Sequence, residues 1–128
     1  MSQGLRIGEM SARTGVSAHT LRYYERVGLL QVVARDSGGR RRYSEADVAW
    51  VWFLLRLRQT DMPIAQMQHY AQLRRQGEGT MRQRLELLRA HGQELAARIE
   101  QLQEHQRALA AKIAFYEAEI RRPAEQEG

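Results

Sequence analysis

The chain has 128 residues, enough for one domain or a small domain with an extension, and carries 20 Lys+Arg against 15 Asp+Glu. Its net charge of +5 lies within residues 1–43, which hold 8 arginines and 3 acidic residues, and such localised charge favours a polyanionic partner. With no cysteine, and no apolar run near the ~20 residues of a membrane span, the chain excludes disulfides, thiolate metal sites and transmembrane helices.

Two short helices are predicted at the beginning of the chain. Residues 5–14 can form the first, which Gly15 ends in the left-handed conformation. Ser17 is a good N-cap for the second, which runs to about Val27 with Leu21 as its core anchor. Two short helices joined by a glycine turn are typical of a helix-turn-helix.

A β-hairpin is predicted next. Val32 and Val33 indicate a strand, residues 36–39 are a turn cluster, and residues 40–43 can return as the second strand. The hairpin would form a wing beside the helices, as in winged helix-turn-helix proteins that bind duplex DNA.

A third helix begins after Ser44, which forms a capping box with Asp47. Its buried stripe is predicted from the spacing i, i+3, i+4 and i+7, at Val48, Val51, Trp52 and Leu55. Pro63 opens a fourth helix at its first turn. The inner face of that helix is predicted to consist of Ile64, Met67 and Ala71.

Four apolar residues near the third and fourth helices allow two interpretations. They could line a small-molecule pocket beside a partner's coil, because Trp50 lies off the predicted stripe, or they could form the core of the junction, which is the favoured interpretation. The four residues are Trp50, Phe53, Met67 and Tyr70.

From Thr80 to Ile120, apolar residues alternate spacings of three and four over about five heptads. A domain comprising residues 1–78 cannot cover such a stripe, so residues 79–128 are expected to pair with a second copy. The flanking charges do not select parallel over antiparallel pairing. The predicted dimerisation residues are Leu85, Leu88, Leu95, Ile99, Leu102, Leu109, Ile113 and Tyr116.

Metal binding and catalysis have little support. His91 and His105 are two heptads apart, ~21 Å along one helix, and His19 and His69 are isolated. No nucleophile–base arrangement or phosphate-binding glycine loop is visible. We therefore expect neither an enzyme nor a metal or other cofactor.

Four segments together resemble the MerR family of bacterial transcription regulators. They are IGEMSARTGVS, TLRYYERVGLL, ARDSGGRRRYSEADV and MPIAQM, and they precede the long terminal helix. The resemblance runs from about Leu5 to Tyr116. It implies a mainly α fold: a winged helix-turn-helix domain with two wings, a linker helix pair and an antiparallel coiled coil between subunits.

The resemblance also implies roles for individual residues. Arg22 and Tyr24 would grip DNA backbone and bases, Tyr23 would pack or contact phosphate, and Arg35 and Arg41 would hold phosphates from the wing. The complete set of expected DNA-binding residues is Arg13, Ser17, His19, Thr20, Arg22, Tyr23, Tyr24, Arg35, Arg41, Arg42 and Tyr43.

The sequence departs from the family pattern in a few places. Asp61 stands where Gly is common, and Asp tolerates that backbone better than most residues. Arg40 adds charge at the wing tip. Many relatives carry an effector domain or a Cys-bearing metal loop after the coil, whereas only residues 121–128 follow here, without Cys.

The sequence therefore predicts a homodimeric, cytoplasmic transcription regulator that binds a palindromic promoter operator. The resemblance implies that it bends and untwists the promoter spacer for RNA polymerase, and leaves a small-molecule effector open. Two alternatives remain: an architectural or excisionase-like DNA binder without promoter regulation, and a coiled-coil interaction protein whose basic face is incidental.

Overall fold

The computed structural model describes residues 4–31 and 34–124, in two compact units, Met1–Leu88 and Arg89–Gly128. The expected mainly helical fold with a small hairpin and a long terminal helix is confirmed, while the strand predicted at Val32 and Val33 lies outside the described residues. The elements are α1 (Ile7–Thr14), α2 (Ala18–Arg26), β1 (Ala34–Arg35), β2 (Arg41–Arg42), α3 (Glu45–Gln59), α4 (Ile64–Arg75) and α5 (Met81–Arg121), with a 3-10 turn at Glu78–Thr80.

Local capping defines the first two helices as the sequence predicts. Glu9 accepts a hydrogen bond from the Arg6 backbone N–H at 2.9 Å, at the positive end of α1. Gly15 ends α1 with φ 76°. The Ser17 hydroxyl accepts from the Thr20 backbone N–H at 3.1 Å and so caps α2.

The wing is held by hydrogen bonds at both ends. β1 and β2 are antiparallel. At the tip, Asp36 Oδ1 accepts from the backbone N–H groups of Gly38 and Arg40, both at 2.9 Å, and the Arg40 bond contributes most to lowering the pKa of Asp36. At the base, Leu5 and Tyr43 exchange backbone hydrogen bonds of 2.7 and 2.8 Å. Leu5, just before α1, therefore lies beside the base of the wing.

One apolar cluster supports the first unit. α1 packs against α2 and α3, and its Met10 and the Leu21 of α2 are both 0% exposed. Leu87 and Leu88, in the second turn of α5, also pack on this cluster. The first unit therefore extends to Leu88, whereas the sequence places the domain boundary after residue 78. Leu88, expected in the dimer seam, is partly used by this core.

The burial of α3 differs from the prediction. Trp52, assigned to the buried stripe, is 52% exposed, whereas Trp50 is 7% exposed. The Trp50 indole N–H donates to the Leu29 carbonyl at 2.7 Å, which satisfies its polar atom inside the core. Leu54 is fully buried and Leu55 only partly so. α3 packs against both α1 and α4, so its buried face includes positions outside one regular stripe.

The residues considered for a ligand pocket pack against one another. The Trp50 and Tyr70 rings are stacked with centroids 5.8 Å apart, and Phe53 lies 5.6 Å from Tyr70. Met67 is 2% exposed, and the Arg74 guanidinium lies 4.2 Å over the Trp50 ring. The structure therefore supports the junction-core interpretation.

The turn between α3 and α4 matches the prediction at Asp61 but not at Pro63. Asp61 has φ 65°, the left-handed conformation expected at that position. Pro63 is the N-cap of α4 instead of a first-turn residue. Met67 and Ala71 are buried as predicted, but Ile64 is 42% exposed because it borders an open cavity beside α2.

The long helix predicted over residues 80–120 is present as α5. Along the second unit its seam is exposed, with Ile99 at 47% and Leu102 at 58%. Leu109, Ile113 and Tyr116 are also more than half exposed. Among the described residues, no helix combines the length and apolar character needed to cross a membrane.

Candidate nucleic-acid interface

The outward face of α2 carries polar and basic side chains. His19, Arg22 and Tyr23 are exposed, and Thr20 is half-buried. The Ser17 hydroxyl is occupied by the helix cap and by a 3.0 Å hydrogen bond with Thr20. Arg22 forms no salt bridge with any described residue, so its guanidinium fork is available for phosphate or a base edge.

Arg22 borders a groove of about 790 Å³ between the start of α1 and the wing tip. Three other arginines converge on this groove, which we call the Arg22 groove, and one carboxylate faces them. A duplex backbone entering it would meet donors from two helices and the wing. The lining residues are Arg6, Ile7, Gly8, Glu9, Ala12, Arg22, Gly39, Arg40 and Arg41.

A second cavity, of about 580 Å³, lies on the other side of α2. His19 and Tyr23 line it together with Arg58 and Ile64, which come from the end of α3 and the start of α4. The sequence reasoning missed Arg58, although the resemblance implied a second wing. The signal available was an arginine near the helix end just before Asp61, the left-handed turn residue.

Two predicted DNA-binding tyrosines are core residues. Tyr24 is 2% exposed and Tyr43 is 1% exposed. Their hydroxyl oxygens are buried and have no hydrogen-bond partner among the described residues. This corrects both assignments: the ~100° between neighbouring helix positions places Tyr23 outside, at 39% exposure, and Tyr24 inside.

We expect Tyr43→Phe to retain operator affinity and to keep or raise the melting temperature, because an unsatisfied buried hydroxyl costs about 1–3 kcal/mol. Burial raises the pKa of Tyr43 to about 12. The folded pKa exceeds the unfolded value of about 10, so the hydroxyl loses its proton more easily in the unfolded chain. Stability is therefore unaffected by this group below about pH 10 and falls as pH rises from there toward 12.

Thermal melts across that alkaline range should show a steeper loss for the wild type than for Tyr43→Phe. Tyr24→Phe is the matched variant, since its hydroxyl is also buried without a partner. A marked loss of operator affinity in either variant would return that hydroxyl to the interface.

The wing arginine Arg41 is already paired. Its Nε lies 2.6 and 2.8 Å from the two carboxylate oxygens of Glu25, whose side chain is 10% exposed. This ion pair joins β2 to α2. It follows that Arg41 holds the wing against α2, and that removing Arg41 would leave a largely buried carboxylate unpaired.

The other predicted arginines differ in availability. Arg35 is exposed and donates to the Gly39 carbonyl at 2.8 Å. The Arg42 side chain is 14% exposed, 3.4 Å from Asp36. Arg13 forms a bidentate pair with Glu45 at 2.7 and 3.1 Å, and this pairing lowers the pKa of Glu45. Arg22 and Arg35 are therefore the predicted arginines with the most accessible charge.

Comparisons with known proteins agree on one family. Residues 5–73 match the model of the MerR HTH family regulatory protein, and residues 48–112 match a MerR DNA-binding model. The HTH-type transcriptional regulator AdhR of Bacillus subtilis is 35% identical over 71% of this chain, and the match spans 65% of AdhR. An HTH-type transcriptional regulator of Haemophilus influenzae is 33% identical over 82% of this chain and 78% of its own length.

Two solved structures share the fold closely. One, a MerR family transcriptional regulator from Listeria monocytogenes, has a TM-score of 0.88 and 38% identity, covering 97% of this chain and 93% of its own. The other is HiNmlR, a MerR family regulator lacking the sensor domain, whose crystal structure is bound to promoter DNA. It has a TM-score of 0.80 and 31% identity, covering 88% of this chain and 90% of its own.

Proposed function

The chain belongs to the MerR family of helix-turn-helix regulatory proteins, and we propose that it is a sequence-specific, DNA-binding transcription regulator acting as a homodimer. The observation that carries the proposal is the outward face of α2. There Arg22 is accessible, the Arg22 groove with its three further arginines lies on one side of the helix, and Arg58 lines the cavity on the other side. An exposed helix flanked by arginines of other elements is suited to the major groove.

The homodimer is supported by the exposed seam of α5. Ile99, Leu102 and Leu109 present large apolar surfaces at heptad spacing, and water is a poor environment for such a stripe. A two-fold dimer places two α2 helices on two half-sites, so the operator is expected to be an inverted repeat.

We extend the proposal to a promoter spacer that the dimer bends and untwists for RNA polymerase. Support for a promoter target comes from HiNmlR, whose crystal structure is bound to promoter DNA. Deforming a short site costs several kcal/mol, which the contacts permitted by the bend must offset. Trp50, Phe53 and Tyr70 pack against one another, so we do not propose them as an effector site.

The test is a footprint on the DNA upstream of the chain's own gene, followed by affinity measurements at increasing salt. Affinity should fall steeply, because several phosphates per dimer are neutralised and each contributes ~0.9 to the logarithmic slope. A flat salt response would contradict phosphate binding.

The same experiment separates the two alternatives. Protection that covers a promoter spacer supports regulation, whereas bending without a promoter footprint supports an architectural protein. Failure to shift any fragment at low salt supports a coiled-coil interaction protein, because a basic face that binds nothing is incidental.

A further inference from the structure

A third groove, of about 730 Å³, lies between the end of α2, the wing and the end of α4. We call it the Arg75 groove. Arginines from three separate elements converge on it, namely Arg26 of α2, Arg35 of β1 and Arg75 of α4. The remaining lining residues are Glu25, Gly28, Leu30, Gln31 and Arg41.

The groove has an uncompensated positive charge. Glu25 is its carboxylate, and Arg41 already pairs with that group at 2.6 Å. Arg26, Arg35 and Arg75 form no salt bridge with any residue that the structure describes. Three like charges on separate elements gain nothing from one another, so their convergence favours an anion.

Neutral groups orient these arginines. Arg75 Nη1 donates to the Gly28 carbonyl at 2.8 Å. This contact places a positive charge at the negative C-terminal end of α2, which would otherwise repel an anion. Arg35 donates to the Gly39 carbonyl at 2.8 Å. The Arg26 guanidinium lies 5.7 Å from the Tyr23 ring centre. Each fork has five N–H donors, so donors remain for a ligand after these contacts.

The lining favours a phosphate over an acidic peptide. A guanidinium fork matches phosphate oxygens in pairs. A protein partner would need an apolar or aromatic anchor, and Leu30, the apolar side chain of the lining, is only 3% exposed. Resting on the proposed function, we propose that Arg26 and Arg75 join the wing arginine Arg35 in binding operator backbone phosphate in the Arg75 groove, separately from the bases read by α2.

The test uses full-length Arg26→Gln, Arg75→Gln and the double variant. Binding is measured on the footprinted promoter duplex and on a mixed-sequence duplex of the same length, at several salt concentrations. Each protomer of the double variant should lose at least one phosphate contact, which lowers the salt slope by ~2 per dimer. Affinity should fall by the same factor on both duplexes, because phosphate contacts carry no sequence information.

Arg56→Gln is the matched control, since Arg56 is exposed on α3, outside this groove, and the same charge is removed. Arg75→Gln also removes a bond to Gly28, so its melting temperature is measured. Arg26→Gln removes only a contact with the Tyr23 ring, so the single variant can be used for the binding measurements if Arg75→Gln is unstable.

If the double variant has the same affinity and salt slope as Arg56→Gln, the inference is overturned. The proposed function is left intact in that case, provided that the wild type binds the promoter duplex. Loss of transcription with purified RNA polymerase at unchanged DNA affinity would overturn it too, by assigning the groove to a protein partner. If the wild type binds neither duplex, the proposed function itself fails.

Discussion

Replacing Arg22 with Ala is expected to weaken operator binding by about 1–3 kcal/mol per protomer, the cost of losing a paired contact to a base edge or phosphate. Arg22 is exposed and forms no salt bridge among the described residues, so its removal breaks no ion pair within the chain. Helical content and dimerisation should remain those of the wild type. Fluorescence anisotropy on the promoter duplex, with circular dichroism and sedimentation, measures all three quantities.

Arg41→Ala differs from Arg22→Ala because it breaks an ion pair within the chain. Arg41 is held by Glu25 at 2.6 Å, so its loss should lower the melting temperature as well as the affinity. Arg56→Ala removes an exposed arginine from α3, away from the proposed interface, and should change neither. Operator affinity unaffected by Arg22→Ala would remove this residue from the site.

Introducing a carboxylate into the α5 seam is expected to abolish the proposed dimer. Ile99 is 47% exposed on the second unit, and Ile99→Asp would place two desolvated charges in an apolar helix interface. Each ion costs several kcal/mol to bury. Since the proposed dimer would read two half-sites together, operator affinity should fall at least as strongly as for Arg22→Ala. Analytical ultracentrifugation over a range of protein concentrations measures the dissociation constant.

Ala97→Asp is the matched control for this variant. Ala97 lies on α5 two residues before Ile99, is exposed and faces away from the predicted seam. The same carboxylate there should leave the dimer unchanged. A dimer that survives Ile99→Asp as well as Ala97→Asp would show that this seam does not join the subunits.

Local signals in the sequence were sufficient for the helices and for the caps of α1, α2 and α3, but not for the N-cap of α4 at Pro63. Ser17, Gly15 and the Ser44–Asp47 pair act on backbone groups within a few residues, so neighbouring sequence contains all the information needed. The ends of α5 were predicted to within one residue because a heptad repeat identifies a helix without reference to the rest of the fold.

These local signals could not predict which of two nearby aromatic side chains is buried. Trp50 and Trp52 are the same residue type, as are Tyr23 and Tyr24. The members of each pair differ in burial because different parts of the fold pack against the helix faces on which they lie. The Trp50 indole finds the carbonyl of Leu29, distant in sequence, and no helical period reports that partner.

The sequence by itself determined the order of helices, the basic region and the apolar seam, because propensity, charge and periodicity are local properties. The tertiary structure decided which tyrosine is buried, which arginines are already paired, and that Arg26, Arg35 and Arg75 share a groove. Those outcomes depend on contacts between α2, the wing and α4, which only the folded chain brings together.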